Sequence, residues 1–291
     1  MAFLSPIRCR RAVFDGTRTW VMGIVNVTPD SFSDGGLHAD VDAAVAHGLR
    51  LVAEGADILD VGGESTRPGA PPVDEAIEIA RVVPVIARLV REAAVPVSVD
   101  TRKGGVAQAA LDAGAELCND VTGGRDPALL QAVAEAGVPL VLGHLRGAPE
   151  TMQKDIAFGD LFEEVTAELS AQAARADAAG VAQIVADPGI GFGKTAAHNL
   201  ELLARAGELS SRLGLPVMIG ASRKAFLGQL TGLPVGERLA PSVAAAVCAA
   251  MAGADFVRAH DVAATRQALA VADAVARARG GARRVERGRA A

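Results

Sequence analysis

Short β-branched runs alternate with longer Ala-rich amphipathic stretches from one end of the chain to the other, and no other feature restricts the fold as strongly. The runs are Val21 to Val25, Ile58 to Val61, Val95 to Val99, Leu117 to Cys118, Pro139 to Leu142, Ile184 to Ala186, Pro216 to Ile219 and Phe256 to Val257. Between them the apolar spacing predicts helices over about Val41 to Glu54, Val73 to Ala93, Gly105 to Ala113, Pro127 to Ala136, Asp160 to Ala179, Ala197 to Leu213, Leu239 to Ala252 and Val262 to Arg279. Several end in a glycine pair, as at Gly55-Ala56, Gly114-Ala115, Gly137-Val138, Gly180-Val181 and Gly253-Ala254, where a left-handed residue closes the helix before the next strand. Eight strand–helix units in 291 residues fit an α/β fold, a single-domain (β/α)8 TIM barrel over residues 20–279. Residues 1–19 read as an N-terminal extension and 280–291 as a basic, disordered tail. An open doubly wound sheet uses the same alternation, because strand order is not written in one sequence.

Each β-branched run gives way to polar residues. Asn26 comes after the first, Gly62 to Arg67 after the second, Asp100-Thr101-Arg102 after the third and Asn119-Asp120 after the fourth. His144 comes after the fifth, Asp187 after the sixth, Ser222-Arg223-Lys224 after the seventh and Arg258 to Asp261 after the eighth. In a barrel these positions meet at the C-terminal mouth, where barrel enzymes keep their chemistry. A single Asp or Asn there is more simply a helix cap, the expected role of Asp126 and Asp261 and the bland alternative for Asp100. Capping does not account for Lys224, Arg258 and His260 on one rim with Asp100, Asn119 and Asp187. The cations suit an anionic group, placed where this fold binds phosphate. The two carboxylates and the amide suit a flat heterocycle with several N–H donors, with Lys224 donating to its acceptor.

Other chemistries find no support. Gly189 to Thr195 resembles a phosphate loop, but Pro188 stands where that pattern needs glycine, and Lys194 where a dinucleotide fingerprint needs it. The five histidines show no H-E-x-x-H spacing and Ser222 no G-x-S-x-G elbow. With 3% aromatics, no Tyr and a net charge of -5, the chain lacks a base-stacking or phosphate-tracking surface, so no nucleic-acid partner is expected. No apolar stretch is long enough for a membrane span, and the first residues lack a signal-peptide core, so a cytoplasmic location is expected. Cys9, Cys118 and Cys248 are far apart and read as reduced core residues.

The segments Met22 to Gly36 (M-G-I-V-N-V-T-P-D-S-F-S-D-G-G) and Asp60 to Ala70 (D-V-G-G-E-S-T-R-P-G-A) resemble the two signature loops of the dihydropteroate synthase family. Ser98 to Thr101, Asn119 to Val121, Asp187 to Lys194, Ser222 to Lys224 and Arg258 to Val262 are similar to it too, so the resemblance runs from about Trp20 to Val262. It implies condensation of 6-hydroxymethyl-7,8-dihydropterin diphosphate with p-aminobenzoate, giving 7,8-dihydropteroate and diphosphate with help from Mg2+. By the same resemblance Asp100, Asn119, Asp187 and Lys224 hold the pterin. Asn26 binds the metal and, with Thr66, Arg258 and His260, the diphosphate. Phe32, Thr66, Arg67, Pro68, Phe192, Ser222 and Lys224 form the p-aminobenzoate and sulfonamide pocket. Asp100, Asp187, Lys224, Arg258 and His260 are the expected catalytic set, and the family implies a homodimer.

Two departures from the family pattern stand out. Gly143-His144-Leu145 replaces Met-His-Met, which is expected to leave space in the pterin wall. Ala225 replaces the serine that comes after Lys224, a change of small consequence. A pterin-binding methyltransferase serving a corrinoid would keep the carboxylates and Asn119 but has no need of Ser222-Arg223-Lys224 or of the pair Arg258 and His260. A non-catalytic barrel would predict eroded loops, and these are intact.

Overall fold

Each β-branched run becomes a strand, and most strand residues are buried. In the computed structural model, which describes residues 5–28, 36–67 and 69–279, a two-stranded hairpin, β1 (Ile7–Arg8) and β2 (Val13–Phe14), precedes the barrel. The barrel strands are β3 (Trp20–Asn26), β4 (Ile58–Gly62), β5 (Val97–Asp100), β6 (Leu117–Asp120), β7 (Leu140–Gly143), β8 (Ile184–Asp187), β9 (Met218–Ile219) and β10 (Phe256–Ala259). Phe32, Pro68 and the tail from residue 280 lie outside the described residues. The sheet order is β8-β7-β6-β5-β4-β3-β10-β9, all parallel, and a bridge between Ala186 and Val217 joins its two ends. That order closes the barrel and excludes the open doubly wound sheet.

The period of two along each strand sorts residues between two cores. Leu59, Val61, Val97, Val99, Cys118, Leu140 and Leu142 belong to the core between sheet and helices. Their neighbours Met22, Ile58, Leu117, Val141, Val185, Met218 and Phe256 fill the barrel's lower interior. The hairpin adds Ile7 and Phe14 to that inner cluster, with Phe14 edge-on to Trp20 at 5.1 Å and to Phe256 at 5.5 Å. Burying each of these two side chains contributes about 1.5–3 kcal/mol. The hairpin plugs the N-terminal end, so the polar strand ends meet at the opposite mouth.

The helices are α1 (Gly36–Ala53), α2 (Glu75–Glu92), α3 (Gly104–Asp112), α4 (Pro127–Ala136), α5 (Leu161–Ala178), α6 (Ala196–Ala204), α7 (Ala206–Leu213), α8 (Ala225–Thr231), α9 (Leu239–Met251) and α10 (Val262–Ala278). The glycines expected to close helices, from Gly55 to Gly253, all have φ between +64° and +103°. Three expectations are corrected. The helix expected over Ala197 to Leu213 is two, because Arg205 between them leaves helical geometry at φ -108°, ψ 19°. Asp126 caps α4, accepting from the Ala128 N–H at 2.9 Å, but Asp261 makes no side-chain cap: its carboxylate accepts from Arg223 Nε at 3.0 Å instead. Cys248 is exposed on α9, whereas Cys118 is buried and Cys9 half-buried. The short helix α8 has no counterpart among the expected elements.

Candidate active site

The open mouth has a polar layer resting on the apolar one. Asp60 is the middle, inward-facing residue of β4, wholly buried, and it accepts at one oxygen from Asn119 Nδ2 (2.9 Å) and Arg258 Nε (2.6 Å). The same guanidinium donates from Nη2 to Asp100 at 2.7 Å. Asp100 therefore serves an ion pair and not a helix cap; the Gly104 N–H that opens α3 is taken by Asp126. Burial pushes the Asp100 carboxyl up to about 7, with Arg258 opposing and the nearby Asp60 adding to the rise. Asp60 Oδ1 and Ser98 Oγ, on paired positions of β4 and β5, are buried without a hydrogen-bond partner among the described residues. Unsatisfied buried oxygens of this kind mark a layer built to meet a ligand or water.

On the other side of the mouth Asp187 ends β8, and its Oδ1 accepts the Gly189 N–H at 2.7 Å. Burial raises its pKa, opposed by Lys224 and by that N–H. Lys224 stands before α8, donates to the Ile190 carbonyl, and holds its Nζ 4.3 Å from the centre of the Phe192 ring, a cation–π contact. Burial pushes this ammonium down to about 8 although Asp187 stabilises its charge. Gly220 leaves room at the centre: Arg258 Cβ, Asp187 Oδ2 and Lys224 Nζ all lie within 4.0 Å of the point where a β-carbon at Gly220 would stand. Asp187, Lys224 and Arg258 thus meet beside Gly220, and Arg258 links them to Asp100 and to the Asp60–Asn119 pair.

Ser222 and His260 form an adjoining pair. Ser222 Oγ accepts the His260 backbone N–H at 3.2 Å and lies 3.0 Å from its Nδ1. That contact holds the imidazole ring in place beside Arg258 and Ser222. Burial, with Arg258 and Arg223 nearby, pushes the His260 pKa down to about 3, so the ring is a neutral donor rather than a cation. Asn26 stands at the end of β3, and Thr66 and Arg67 lie in the segment after β4; no side-chain hydrogen bond joins them to the set among the described residues. That segment is tied down behind its tip, where Glu64 accepts from the Val73 N–H at 2.9 Å and from Arg102 Nε at 3.0 Å.

Gly143 does not leave space. A β-carbon there would lie 2.7 Å from Val121 Cα, so the backbone after β6 occupies the place a longer side chain needs. Sequence reasoning also passed over Asp60 and Lys194. A carboxylate between Leu59 and Val61, in a run otherwise buried and apolar, was the available signal for Asp60, since an unpaired charge is not buried there. Lys194 was visible as the last residue of the family-like segment Asp187 to Lys194 and within a nucleotide-like motif that fails, neither of which gave it a role.

Comparison with known proteins identifies the family. The family model for "Pterin binding enzyme" matches residues 22–260. The dihydropteroate synthase of Escherichia coli (strain K12) is 46% identical over 256 residues, covering 87% of this chain and 90% of that protein. A Yersinia pestis dihydropteroate synthase, solved as a sulfonamide drug complex, superposes with a TM-score of 0.88 at 44% identity, covering 93% of this chain and 99% of that one. The Xanthomonas albilineans enzyme matches as its 4-aminobenzoic acid structure (TM-score 0.87, 49% identity, 94% and 98% of the two chains) and in complex with 7,8-dihydropteroate (0.84, 47%, 93% and 98%). The chain belongs to the pterin-binding enzyme family and, within it, to the dihydropteroate synthases, transferases that form a carbon–nitrogen bond.

Proposed function

We propose that this site joins 6-hydroxymethyl-7,8-dihydropterin diphosphate to p-aminobenzoate, and that the residues around Gly220 divide the work. The observation that carries the reading is that Asp187, Lys224 and Arg258 meet beside Gly220 while Arg258 ties Asp100 and, through Asp60, Asn119 to the same group. Asp100, Asn119 and Asp187 accept the N–H groups of the pterin edge, and Lys224 donates to its acceptor. Arg258 has committed Nε and Nη2 to Asp60 and Asp100, so it fixes Asp100 and offers its remaining donors to the diphosphate. His260 adds its neutral imidazole to that anion's site, with Asn26 and Thr66 on the same rim. Phe192, Ser222, Arg67 and Lys224 line the side from which p-aminobenzoate approaches, and the family pattern adds Phe32 and Pro68, which lie outside the described residues. The X. albilineans complexes named above support both halves of this reading.

Among the described residues no group of three His, Cys, Asp or Glu side chains is placed to hold a metal. The amide oxygen of Asn26 suits an ion that arrives with substrate phosphates and keeps several waters. When bound, Mg2+ supplies Lewis-acid neutralisation of the leaving diphosphate.

The C–O bond to diphosphate breaks ahead of attack, in an SN1-like step, with the positive charge on the methylene shared by the dihydropterin ring. Asp100 and Asp187 stabilise that charge from fixed positions. The arylamine is neutral near pH 7 and attacks without a dedicated base; the C–N bond forms and the nitrogen loses its proton to diphosphate or solvent. Purified protein mixed with the pterin diphosphate, p-aminobenzoate and Mg2+ should release dihydropteroate and diphosphate in equal amounts. Diphosphate release without dihydropteroate would reject the condensation, and full activity after chelation would reject the metal.

We further propose a cytoplasmic homodimer. No helix among the described residues is long and apolar enough to cross a membrane, and the exposed Leu230, Leu239, Met251, Val271 and Val275 on α8 to α10 give a second copy an apolar surface.

A further inference from the structure

Lys194 is a lysine that the reaction does not use, yet only 4% of it is exposed. It lies just past the turn that joins β8 to α6, and its Nζ reaches three acceptors: His144 Nδ1 at 3.0 Å, the Phe192 carbonyl at 3.1 Å and the His144 carbonyl at 3.4 Å. An ammonium has three N–H donors and no acceptor, so the three bonds use its full capacity. They also set the His144 ring: with Nδ1 accepting, Nε2 carries the proton and donates to Glu168 at 3.0 Å. Burial pushes Lys194 down to about 7, opposed by Asp187, and burial with Lys194 beside it pushes His144 to about 3. A buried cation is a costly way to fill space.

The three bonds span the two halves of the site. The His144 N–H donates to the Asp187 carbonyl at 2.9 Å, the Asp187 carboxylate accepts from Gly189, and the Phe192 N–H returns to the Gly189 carbonyl at 3.0 Å. Residues 187–192 therefore form one turn, with the pterin-holding carboxylate at its start and the p-aminobenzoate wall at its end. Lys194 fastens the far end of that turn to the strand end of β7. We propose that Lys194 is a positioning residue whose ammonium ties the Phe192 carbonyl to His144 and so sets Asp187 and Phe192, one contact for each substrate, from a single buried point. The proposal rests on the site reading above, because it takes Asp187 as a pterin contact and Phe192 as a p-aminobenzoate contact.

The test compares Lys194→Met, which keeps the side-chain length and removes the donors, with two reference variants, Asp187→Asn and Phe192→Leu. KM for each substrate, kcat and the thermal midpoint are measured on each purified protein. Of the two KM values, Asp187→Asn should raise only that for the pterin diphosphate, with a loss of kcat, and Phe192→Leu only that for p-aminobenzoate. Lys194→Met should raise both together, about tenfold each, and lower kcat as well, because the displaced Asp187 stabilises the developing charge less. Lys194→Gln, which restores two donors, should raise both about threefold and supplies the readout if the methionine variant does not fold. References that behave as stated beside a folded Lys194 variant in which neither KM, or only one, rises overturn the positioning role and leave the site reading intact. References that leave their own substrate's KM unchanged overturn the site reading. Failure of both Lys194 variants to fold assigns the residue to stability and also overturns the proposal.

Discussion

Gly189→Ala is the sharpest perturbation of the site that the backbone allows. Gly189 has φ +69°, and a β-carbon there would lie 1.9 Å from the His144 carbonyl oxygen. Reaching an ordinary carbon–oxygen contact of about 3.3 Å requires a shift of about 1.4 Å from that 1.9 Å. The turn cannot retreat alone, since Asp187 is bonded to His144 through its carbonyl and to Gly189 through its carboxylate. The left-handed conformation costs an alanine about 1–2 kcal/mol and overpacking about 1–3 kcal/mol, a total of roughly 2–5 kcal/mol. At about 2–3 °C per kcal/mol for a chain this long, the thermal midpoint should fall by roughly 5–15 °C. A misplacement of about 1 Å costs about 100-fold in rate, so kcat/KM for the pterin diphosphate should fall by about that factor at a temperature where the variant is folded. Gly214→Ala is the internal control, because Gly214 has φ +67° but nothing within 4 Å of its β-carbon position. It should lose about 1–2 kcal/mol from backbone strain alone and keep kcat/KM within about twofold. Calorimetry and initial rates decide the matter. Equal midpoints for the two variants, or a Gly189→Ala enzyme with unaltered kcat/KM, would refute the steric argument.

Asp100 at about 7 and Lys224 at about 8 predict a bell-shaped kcat/KM for the pterin diphosphate, highest between these values. It falls on the acid side as Asp100 gains a proton and on the alkaline side as Lys224 loses one; an acid limb that survives in Asp100→Asn would contradict the assignment. In stability the sign is opposite to that of an ordinary paired carboxylate: Asp100 has a raised folded pKa, so its contribution is present below about 4 and is lost as pH climbs to about 7. Asp100→Asn should therefore compare better with the parent at pH 8 than at pH 5 in urea titrations. Gly143→Ala should destabilise by about 1–3 kcal/mol through contact with Val121, and a neutral result in the same titration would show that this backbone yields. Asp126→Ala removes the cap of α4 and the acceptor for Gly104; it should cost about 1–2 kcal/mol with kcat unchanged, and a lost kcat would place Asp126 in the site.

The alternation of β-branched and Ala-rich segments was enough to specify a parallel α/β fold, because a parallel strand needs a crossover and a helix with one apolar face must cover the sheet, while closure into a barrel was settled by the strand order. The polar residue after each strand was legible for the same reason: strand ends are local, and a barrel gathers all of them at one mouth. The signature segments then named the chemistry. What the sequence did not disclose were pairings between residues far apart in the chain. Asp60 and Arg258 are 198 positions apart, Lys194 and His144 are 50 apart, and Asp261 turns from its own helix to Arg223, 38 residues away. Gly143 read as missing bulk until the backbone of Val121 was seen in its place.

The chain by itself determined which segments are strands, which helices, and which polar groups reach the rim, since these depend on local periodicity and chain direction. Tertiary structure alone decided which carboxylate shares Arg258, that His260 is neutral, and that a lysine lies sealed beneath the turn of Asp187. Those outcomes depend on desolvation and on distances of about 3 Å across the barrel, and neither quantity is encoded until the strands have closed.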